Sequence, residues 1–306
     1  PIDAYDVIMH SADAVISVGV RRSATICLFS PKDEEMAKAK TGNWFHENPQ
    51  RGRSNNSALL LRDKTSKKQF SKLMDSVREF GEPGFVWSDS RELVVNPCVE
   101  IGLYPVDEET GETGWQACNL STINCSKIES EDDFYESCRA AAIIGTLQAG
   151  YTNFHYLRNT SREITEEEAL LGVSITGIMD CPEICLDPKV QKEGAKIVKE
   201  TNKEMAKKIG VNPAARTTCI KPEGTTSCVL GTSSGIHPHH AKRYIRRVQA
   251  NKMEPIYQYF KTINPRACEE SVWSNNESDE VVEFCIEVAP GSKTKNQISA
   301  LELLEY

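Results

Sequence analysis

The sequence predicts an α/β fold, because segments with the apolar spacing of helices alternate with short apolar runs typical of strands. Residues 70–80 and 190–209 carry apolar side chains three and four positions apart, as amphipathic helices do. Residues 85–87 form a short apolar run directly after a turn that contains proline and glycine. No internal repeat, low-complexity tract or linker interrupts this pattern, so residues 1–306 are predicted to belong to a single domain.

Each predicted element is bounded by a local signal, either a turn-forming residue or a change in apolar spacing. For the first half of the chain, the predictions are a strand-rich stretch at residues 15–29, a helix at 33–40, a turn-rich segment at 43–56, a helix at 70–80, a strand at 85–87 and a solvated loop at 107–114. For the second half, they are a helix at residues 132–150, a helix that starts at Thr165, a helix at 190–209, strand and loop structure at 217–231, and a helix that carries Arg243, Arg246 and Arg247.

The composition is that of an ordinary globular protein, with 39% hydrophobic and 26% charged residues. The formal net charge of −8 argues against a nucleic-acid-binding protein, because binding to phosphate backbones usually requires a basic surface. No apolar run approaches the roughly 20 residues that a membrane-spanning helix needs, and no secretory signal is visible. Eleven scattered cysteines without such a signal favour a reducing, cytoplasmic location.

The most informative run places an amide, a thiol and a carboxylate on alternate residues, at Asn96, Cys98 and Glu100. Alternate residues of an extended chain share one face, and Pro97 keeps Asn96 out of the helical conformation. This trio suits chemistry on a vicinal diol, but on a flat strand it spans about 13 Å, so the segment must curl into a loop tip to reach one sugar. The alternative is a strand end with a buried structural thiol and a solvated glutamate. A second thiol follows at Cys118.

A second candidate site is rich in glycine and small hydroxyl residues. It comprises Gly224, Thr225, Thr226 and Ser227, followed by residues 231–235. Such segments expose backbone N–H groups that can bind a phosphate, especially where a helix begins. The run lacks the Gly-Lys-Ser/Thr ending of a P-loop, which argues against nucleotide hydrolysis. Turn-rich loops of this composition are also common without any ligand.

Three further motifs carry weaker signals. The His-Pro-His-His run at residues 237–240 has no acidic or cysteine partner at ligand spacing, so no metal site is predicted there. Cys181 and Cys185 have no second pair at zinc-like spacing, and we interpret them as packing residues. The basic cluster at residues 243–247 is interpreted as a solvated face.

Four motifs lie at residues 96–101 (Asn-Pro-Cys-Val-Glu-Ile), 118–121 (Cys-Asn-Leu-Ser), 172–177 (Gly-Val-Ser-Ile-Thr-Gly) and 222–227 (Pro-Glu-Gly-Thr-Thr-Ser). They recur in the same order in the catalytic chains of ribonucleotide reductases, which the sequence resembles over nearly its whole length. Further motifs resemble the adenosylcobalamin-dependent (class II) branch and, within it, the monomeric triphosphate reductases. These lie at residues 19–24, 51–57, 235–240 and 244–247.

The resemblance implies part of a ten-stranded α/β barrel, in which a central finger loop carries Cys98 at its tip. It implies that Cys98 forms the thiyl radical that abstracts the ribose 3′ hydrogen. Glu100 would take the 3′-hydroxyl proton and Asn96 would hydrogen-bond the sugar hydroxyls. Cys118 would be one of two thiols that reduce the 2′ position, and residues 224–227 would hold the substrate phosphates.

The resemblance also implies a cofactor and partners. The cofactor is adenosylcobalamin, whose cobalt–carbon bond yields the radical. The implied partners are a ribonucleotide, here a triphosphate, dNTP or ATP effectors, and a thioredoxin-like or dithiol reductant. Missing parts of the same polypeptide are a further partner, whereas nucleic acid and membrane are not expected as partners.

The sequence departs from the family pattern in two places. The family's other reducing cysteine lies upstream of the finger loop in a context that Cys27 does not share, so Cys118 has no assigned partner. The paired cysteines of the family's C-terminal tail are also absent, so we expect the central and later barrel of a longer enzyme. Two alternatives remain open: a class I large subunit that needs a separate radical-generating subunit, and a non-catalytic nucleotide-binding part of a split enzyme.

Overall fold

A computed structural model describes residues 1–17, 23–272 and 278–305 of the chain. Within these ranges the helices are α1 Ile2–Ser17, α2 Glu34–Ala37, α3 Trp44–Glu47, α4 Lys67–Phe80, α5 Glu131–Ala149, α6 Asn159–Glu168, α7 Pro182–Cys185, α8 Pro188–Ile209, α9 Gly224–Leu230, α10 Pro255–Ile263 and α11 Ala300–Glu305. The strands are β1 Thr25–Phe29, β2 Ser54–Leu61, β3 Gly84–Ser88, β4 Val94–Val95, β5 Gly102–Leu103, β6 Asn119–Asn124, β7 Leu171–Thr176, β8 Arg243–Asn251, β9 Cys268–Glu270 and β10 Asp279–Glu287. The fold is therefore mixed α/β, as the sequence predicts.

The chain divides into two compact units, which are described one at a time. The first unit comprises Pro1–Ser121, Arg139–Ser174 and Val198–Lys221. The second unit comprises Thr122–Cys138, Ile175–Ile197 and Pro222–Tyr306. Four of the five boundaries between the units fall inside β6, α5, β7 and α8, and the fifth lies between Lys221 and Pro222.

The first unit contains a three-stranded parallel sheet with β2 between β1 and β3. One core cluster joins this sheet to α1, α2 and α4, and it includes Leu60 of β2, Met9 of α1, Met36 of α2 and Leu73 of α4. Helix α4 begins with a capping box at Ser66 and ends where the chain turns into the left-handed conformation. These signals explain why the sequence predicts α4 and β3 closely.

The motif at residues 51–57 joins α1 to β2 within the first unit. Arg51 binds Asp6 of α1 through two nitrogens, at 2.6 and 2.8 Å, and it also donates to the backbone of Ala39. Arg53 binds Asp13 at 2.5 Å. The arginines of this motif therefore fix α1 at the start of β2. The preceding motif, residues 19–24, lies mostly outside the described residues.

The second unit contains an antiparallel sheet in the order β8-β10-β9. The basic cluster lies on strand β8, so the predicted helix at Arg243, Arg246 and Arg247 is wrong. Arg243 binds Glu287 at 2.7 Å on the adjacent strand β10. The cross-strand carboxylates that favour this strand lie far away in the sequence, which is why local spacing misled the prediction.

Three other predicted boundaries also need correction. The helix predicted to start at Thr165 instead ends at Glu168, because Ala169 turns left-handed at φ 41° and β7 follows. Residues 15–17 belong to α1 and not to a strand, and residues 18–22 lie outside the described ranges. Within residues 217–231, α9 replaces part of the predicted loop. Among the described residues, no helix combines the length and apolar character needed to cross a membrane.

Candidate active site

Residues 96–101 form the loop of a hairpin in the first unit, because Val95 pairs with Gly102 across β4 and β5. Asn96 closes the loop from inside: its Oδ1 accepts from the Ile101 N–H at 3.0 Å, and its carbonyl accepts from the Val99 N–H at 2.9 Å. The loop therefore lifts Cys98 to an exposed tip.

Two features fix the tip of this loop. Val99, which follows Cys98, has φ 67°, in the left-handed region that a residue with a β-branched side chain rarely adopts. Asn55 of β2 donates from its Nδ2 to the Pro97 carbonyl at 2.7 Å. Asn55 lies in the 51–57 motif, which is the one signal in the sequence that could have marked it.

A cavity of about 320 Å³ lies beside the loop within the first unit. Glu100 and Cys118 both line it, and Tyr104 and Arg216 contribute to its wall. The Oε2 atom of Glu100 is buried and has no hydrogen-bond partner among the described residues. Because an unpaired buried carboxylate oxygen is costly, this atom is ready to accept a hydrogen bond from a hydroxyl in the cavity.

The environment of Cys118 keeps its thiol protonated. Burial, and after it the negative charge of Glu100, raise the pKa of Cys118 to about 11. At neutral pH this side chain is therefore a thiol and a hydrogen donor, not a nucleophilic thiolate. No disulfide joins any of the eleven cysteines, all of which lie in the described ranges.

The phosphate-site candidates belong to the second unit, where they form the start of the seven-residue helix α9. Gly224 and Thr225 are exposed, Thr226 is half-buried and Ser227 is buried. The Ser227 hydroxyl donates to the Gly224 carbonyl at 3.1 Å, so its hydrogen stays within the helix. Glu223 precedes the helix and has a backbone φ of 54°. Its Oε1 accepts a hydrogen bond from the Thr122 hydroxyl at 2.6 Å.

The weaker motifs also have defined places in the second unit. His239 is buried and bonds Asp180 at 2.5 Å, whereas His240 is exposed and contacts Lys295 at 3.1 Å. No group of three or more His, Cys, Asp or Glu side chains within residues 1–17, 23–272 and 278–305 has the arrangement of a metal site. Cys185 is buried in α7, and its thiol hydrogen-bonds those of Cys125 and Cys181.

The structure brings part of the predicted site together. Asn96, Cys98, Glu100 and Cys118 all belong to the first unit, but only Glu100 and Cys118 line the cavity. The residues 224–227 are grouped on α9 of the second unit. Tyr104 and Arg216 line the cavity without any motif that could have marked them in the sequence.

Comparison with known proteins supplies the family context, although no family model matches the chain. An adenosylcobalamin-dependent ribonucleoside-triphosphate reductase of Lactobacillus leichmannii is 25% identical over 346 residues, which cover 98% of this chain and 44% of that protein. A probable enzyme of the same description from Dictyostelium discoideum is 26% identical over 315 residues, covering 95% of this chain and 38% of its own length. The chain resembles adenosylcobalamin-dependent ribonucleoside-triphosphate reductases. It spans less than half of the length of these reductases.

Solved structures show the same fold. A B12-dependent (class II) ribonucleotide reductase matches with a TM-score of 0.64 at 21% identity, over 90% of this chain and 42% of that one. The alpha subunit of a class Id ribonucleotide reductase from Actinobacillus ureae matches with a TM-score of 0.55 at 14% identity, over 81% of this chain and 54% of that one. Because both identities are low, these matches show a shared fold with the reductases.

Proposed function

We propose that residues 1–306 are one fragment of the catalytic barrel of an adenosylcobalamin-dependent ribonucleoside-triphosphate reductase. The observation that carries the proposal is the cavity that both Glu100 and Cys118 line. Oε2 of Glu100 has no hydrogen-bond partner among the described residues, and the thiol of Cys118 is protonated. This pair offers a proton acceptor and a hydrogen donor to one sugar. The relatives that match nearly the whole chain support the same reading.

The proposed reaction assigns a role to each residue of the first unit. Cys98, as a thiyl radical, abstracts the 3′ hydrogen of the ribose and later returns it. Glu100 accepts the 3′-hydroxyl proton, and the NH₂ group of Asn96 donates to a sugar hydroxyl. Cys118 and a second thiol supply two electrons and two protons, so that the 2′-hydroxyl leaves as water and a disulfide forms.

Adenosylcobalamin supplies the radical by homolysis of its cobalt–carbon bond when it is bound. The exposed tip of the 96–101 loop fits this requirement, because a thiol that exchanges a hydrogen atom with a large cofactor must be open to it. We assign no other residue of this chain to the cofactor. The fixed conformation of Val99 and the tether from Asn55 would hold the Cys98 thiol in one orientation.

The second unit is proposed to hold the substrate phosphates at Gly224, Thr225, Thr226 and Ser227. The backbone N–H groups of Gly224, Thr225 and Thr226 lie in the first turn of α9, where a helix offers unsatisfied donors, and the first two of these residues are exposed. The Ser227 N–H instead donates to the Glu223 carbonyl at 2.9 Å. In the whole protein we further propose the completed ten-stranded barrel, dNTP or ATP effectors, a thioredoxin-like or dithiol reductant, and a cytoplasmic location.

The test is formation of dCTP by the full-length polypeptide, supplied with adenosylcobalamin, dithiothreitol and CTP. Cys98→Ser should abolish the product, because an alcohol cannot form the required radical. Cys285→Ser is the matched control, since Cys285 is also exposed but lies on β10. Product that forms in the Cys98→Ser variant, or without the cobalamin, would contradict the assignment. Product that requires a separate metal-containing subunit would move the protein to class I.

A further inference from the structure

A buried carboxylate and imidazole join two parts of the second unit that are far apart in the sequence. Asp180 closes the 3₁₀ turn Ile178–Asp180, and His239 belongs to the His-Pro-His-His run that has no role in the proposed reaction. Oδ1 of Asp180 and Nε2 of His239 are 2.5 Å apart, and their side chains are only 5% and 4% exposed. Since an ionised carboxylate can only accept, Nε2 of His239 donates this hydrogen bond.

Asp180 also binds two other segments of the chain. Its Oδ2 accepts from the Ser233 N–H at 2.8 Å, and its Oδ1 accepts from the Ser292 hydroxyl at 2.9 Å. Burial opposes ionisation of Asp180, but the hydrogen bonds from His239, Ser233 and Ser292 outweigh it and hold the pKa of this carboxyl below its usual value. A single charged group thus holds three segments together.

The segment at residues 231–235, which Asp180 binds, flanks helix α9. The Thr232 N–H donates to the Ser227 carbonyl at 3.0 Å, and the Ser234 hydroxyl donates to the Pro222 carbonyl at 2.5 Å. Ser233, between them, is anchored on Asp180 and is only 3% exposed. The contacts therefore reach Ser227, the last of the phosphate-site candidates, and Pro222, which lies two residues before the first of them.

The 3₁₀ turn that ends at Asp180 and the 231–235 segment approach each other closely at Gly177. Gly177 has φ 72°, and a Cβ at this position would lie 3.0 Å from Thr232 Cβ and 3.1 Å from Asp180 Oδ2. The Gly177 N–H also donates to the Ser233 carbonyl at 3.0 Å. Asp180 and the turn that carries it therefore contact the segment that flanks α9 through both backbone and side-chain hydrogen bonds.

We propose that Asp180 and His239 are positioning residues for the substrate phosphates, acting through the 231–235 segment on the start of α9. Neither residue touches the substrate. The inference rests on the proposed function, because it takes residues 224–227 as the phosphate site. It gives the buried histidine a role in substrate affinity and none in the radical chemistry.

The experiment compares Asp180→Asn and His239→Gln with the wild type in the full-length polypeptide. Asp180→Asn keeps the size of the side chain but removes its charge, and His239→Gln replaces the imidazole with a polar amide. His240→Gln is the matched control because it removes the adjacent exposed imidazole. We expect KM for CTP to rise about tenfold in both variants, the factor for one hydrogen bond to a charged group, with kcat within about twofold. His240→Gln should leave both constants unchanged.

Amide hydrogen exchange without substrate gives a second readout. The N–H groups of residues 224–235 should exchange faster in Asp180→Asn and His239→Gln than in the wild type and in His240→Gln. Unchanged exchange in these variants would overturn the inference, as would a fall in kcat at constant KM. If the wild type forms no dCTP, the proposed function fails, and exchange alone then decides whether Asp180 and His239 position α9.

Discussion

Residues 96–101 and residues 231–239 differ in what keeps them in place. The first segment is a hairpin loop that Asn96 closes by hydrogen bonds within the loop. A hydrogen bond from Asn55 also holds it, and its tip carries the exposed thiol of Cys98. The second is anchored on Asp180, a buried carboxylate 59 positions before His239. The comparison teaches that local backbone contacts are enough to present an exposed side chain, whereas a buried carboxylate can fix a segment that lies far away in the sequence.

The largest expected effect concerns the carboxylate of Glu100 in the 96–101 loop. Glu100→Gln should lower the rate of CTP reduction by about 10² to 10⁴, because the amide cannot accept the 3′-hydroxyl proton. The measurement is dCTP formation by the full-length polypeptide at saturating CTP. Glu92→Gln is the control, because Glu92 is exposed and lies outside the cavity. Equal rates in Glu100→Gln and the wild type would remove Glu100 from the mechanism.

The next expected effect concerns the buried anchor of the second segment. Asp180→Ala should reduce the free energy of unfolding by about 3 to 5 kcal/mol, because it leaves the His239 and Ser292 donors buried without their acceptor. Urea denaturation of the chain followed by circular dichroism gives the midpoint shift. Asp89→Ala removes an exposed ion pair with Arg62 and should cause no resolvable shift. Similar shifts in the two variants would contradict a special role for Asp180.

A smaller effect concerns the thiol of Cys118 in the first unit. Because the pKa of Cys118 is raised to about 11, its labelling by iodoacetamide should rise about tenfold per pH unit from pH 7 to 10. Glu100→Gln removes a negative charge that raises the pKa of Cys118, so in this variant the labelling profile should move to lower pH. Peptide mass spectrometry of timed samples gives the rates. A labelling rate that levels off below pH 9 would show that the pKa of Cys118 is not raised to about 11.

The smallest effect tests the strain in the 96–101 loop. Val99→Gly should raise the free energy of unfolding by about 1 kcal/mol, because relief of the left-handed valine outweighs the added freedom of the unfolded chain. The urea midpoint measures this change, and Val94→Gly in β4, where the backbone is extended, should lower it. A loss of stability in Val99→Gly would mean that the loop stores no strain.

Some elements of the fold could be predicted from the sequence, and others could not. Helix α4 and strand β3 carry their signals locally, in apolar spacing, the cap at Ser66 and the turn at Gly81, so they could be predicted. Strand β8 could not, because its arginines are matched by carboxylates of β10 that lie about 40 positions later. The end of α6 was missed because Ala169 adopts a left-handed conformation that alanine rarely signals.

The candidate site divides in the same way. Asn96, Cys98 and Glu100 are recognisable because their chemistry lies within five consecutive residues. The raised pKa of Cys118 and the bond between Asp180 and His239 depend on groups brought together only by folding. For this reason the sequence could name the candidate groups but could not identify the contacts that position them or shift their pKa.

Cys228 gives helix α9 a practical use. Its side chain is exposed and lies one residue after Ser227, with its sulfur 3.3 Å from the Gly224 carbonyl oxygen. In a background where Cys98 and Cys285 are serine, the most accessible remaining thiol would be Cys228, on the helix proposed to bind phosphate. A fluorophore or nitroxide attached there would turn occupation of that helix by a nucleotide into an optical or magnetic signal, without any need for turnover.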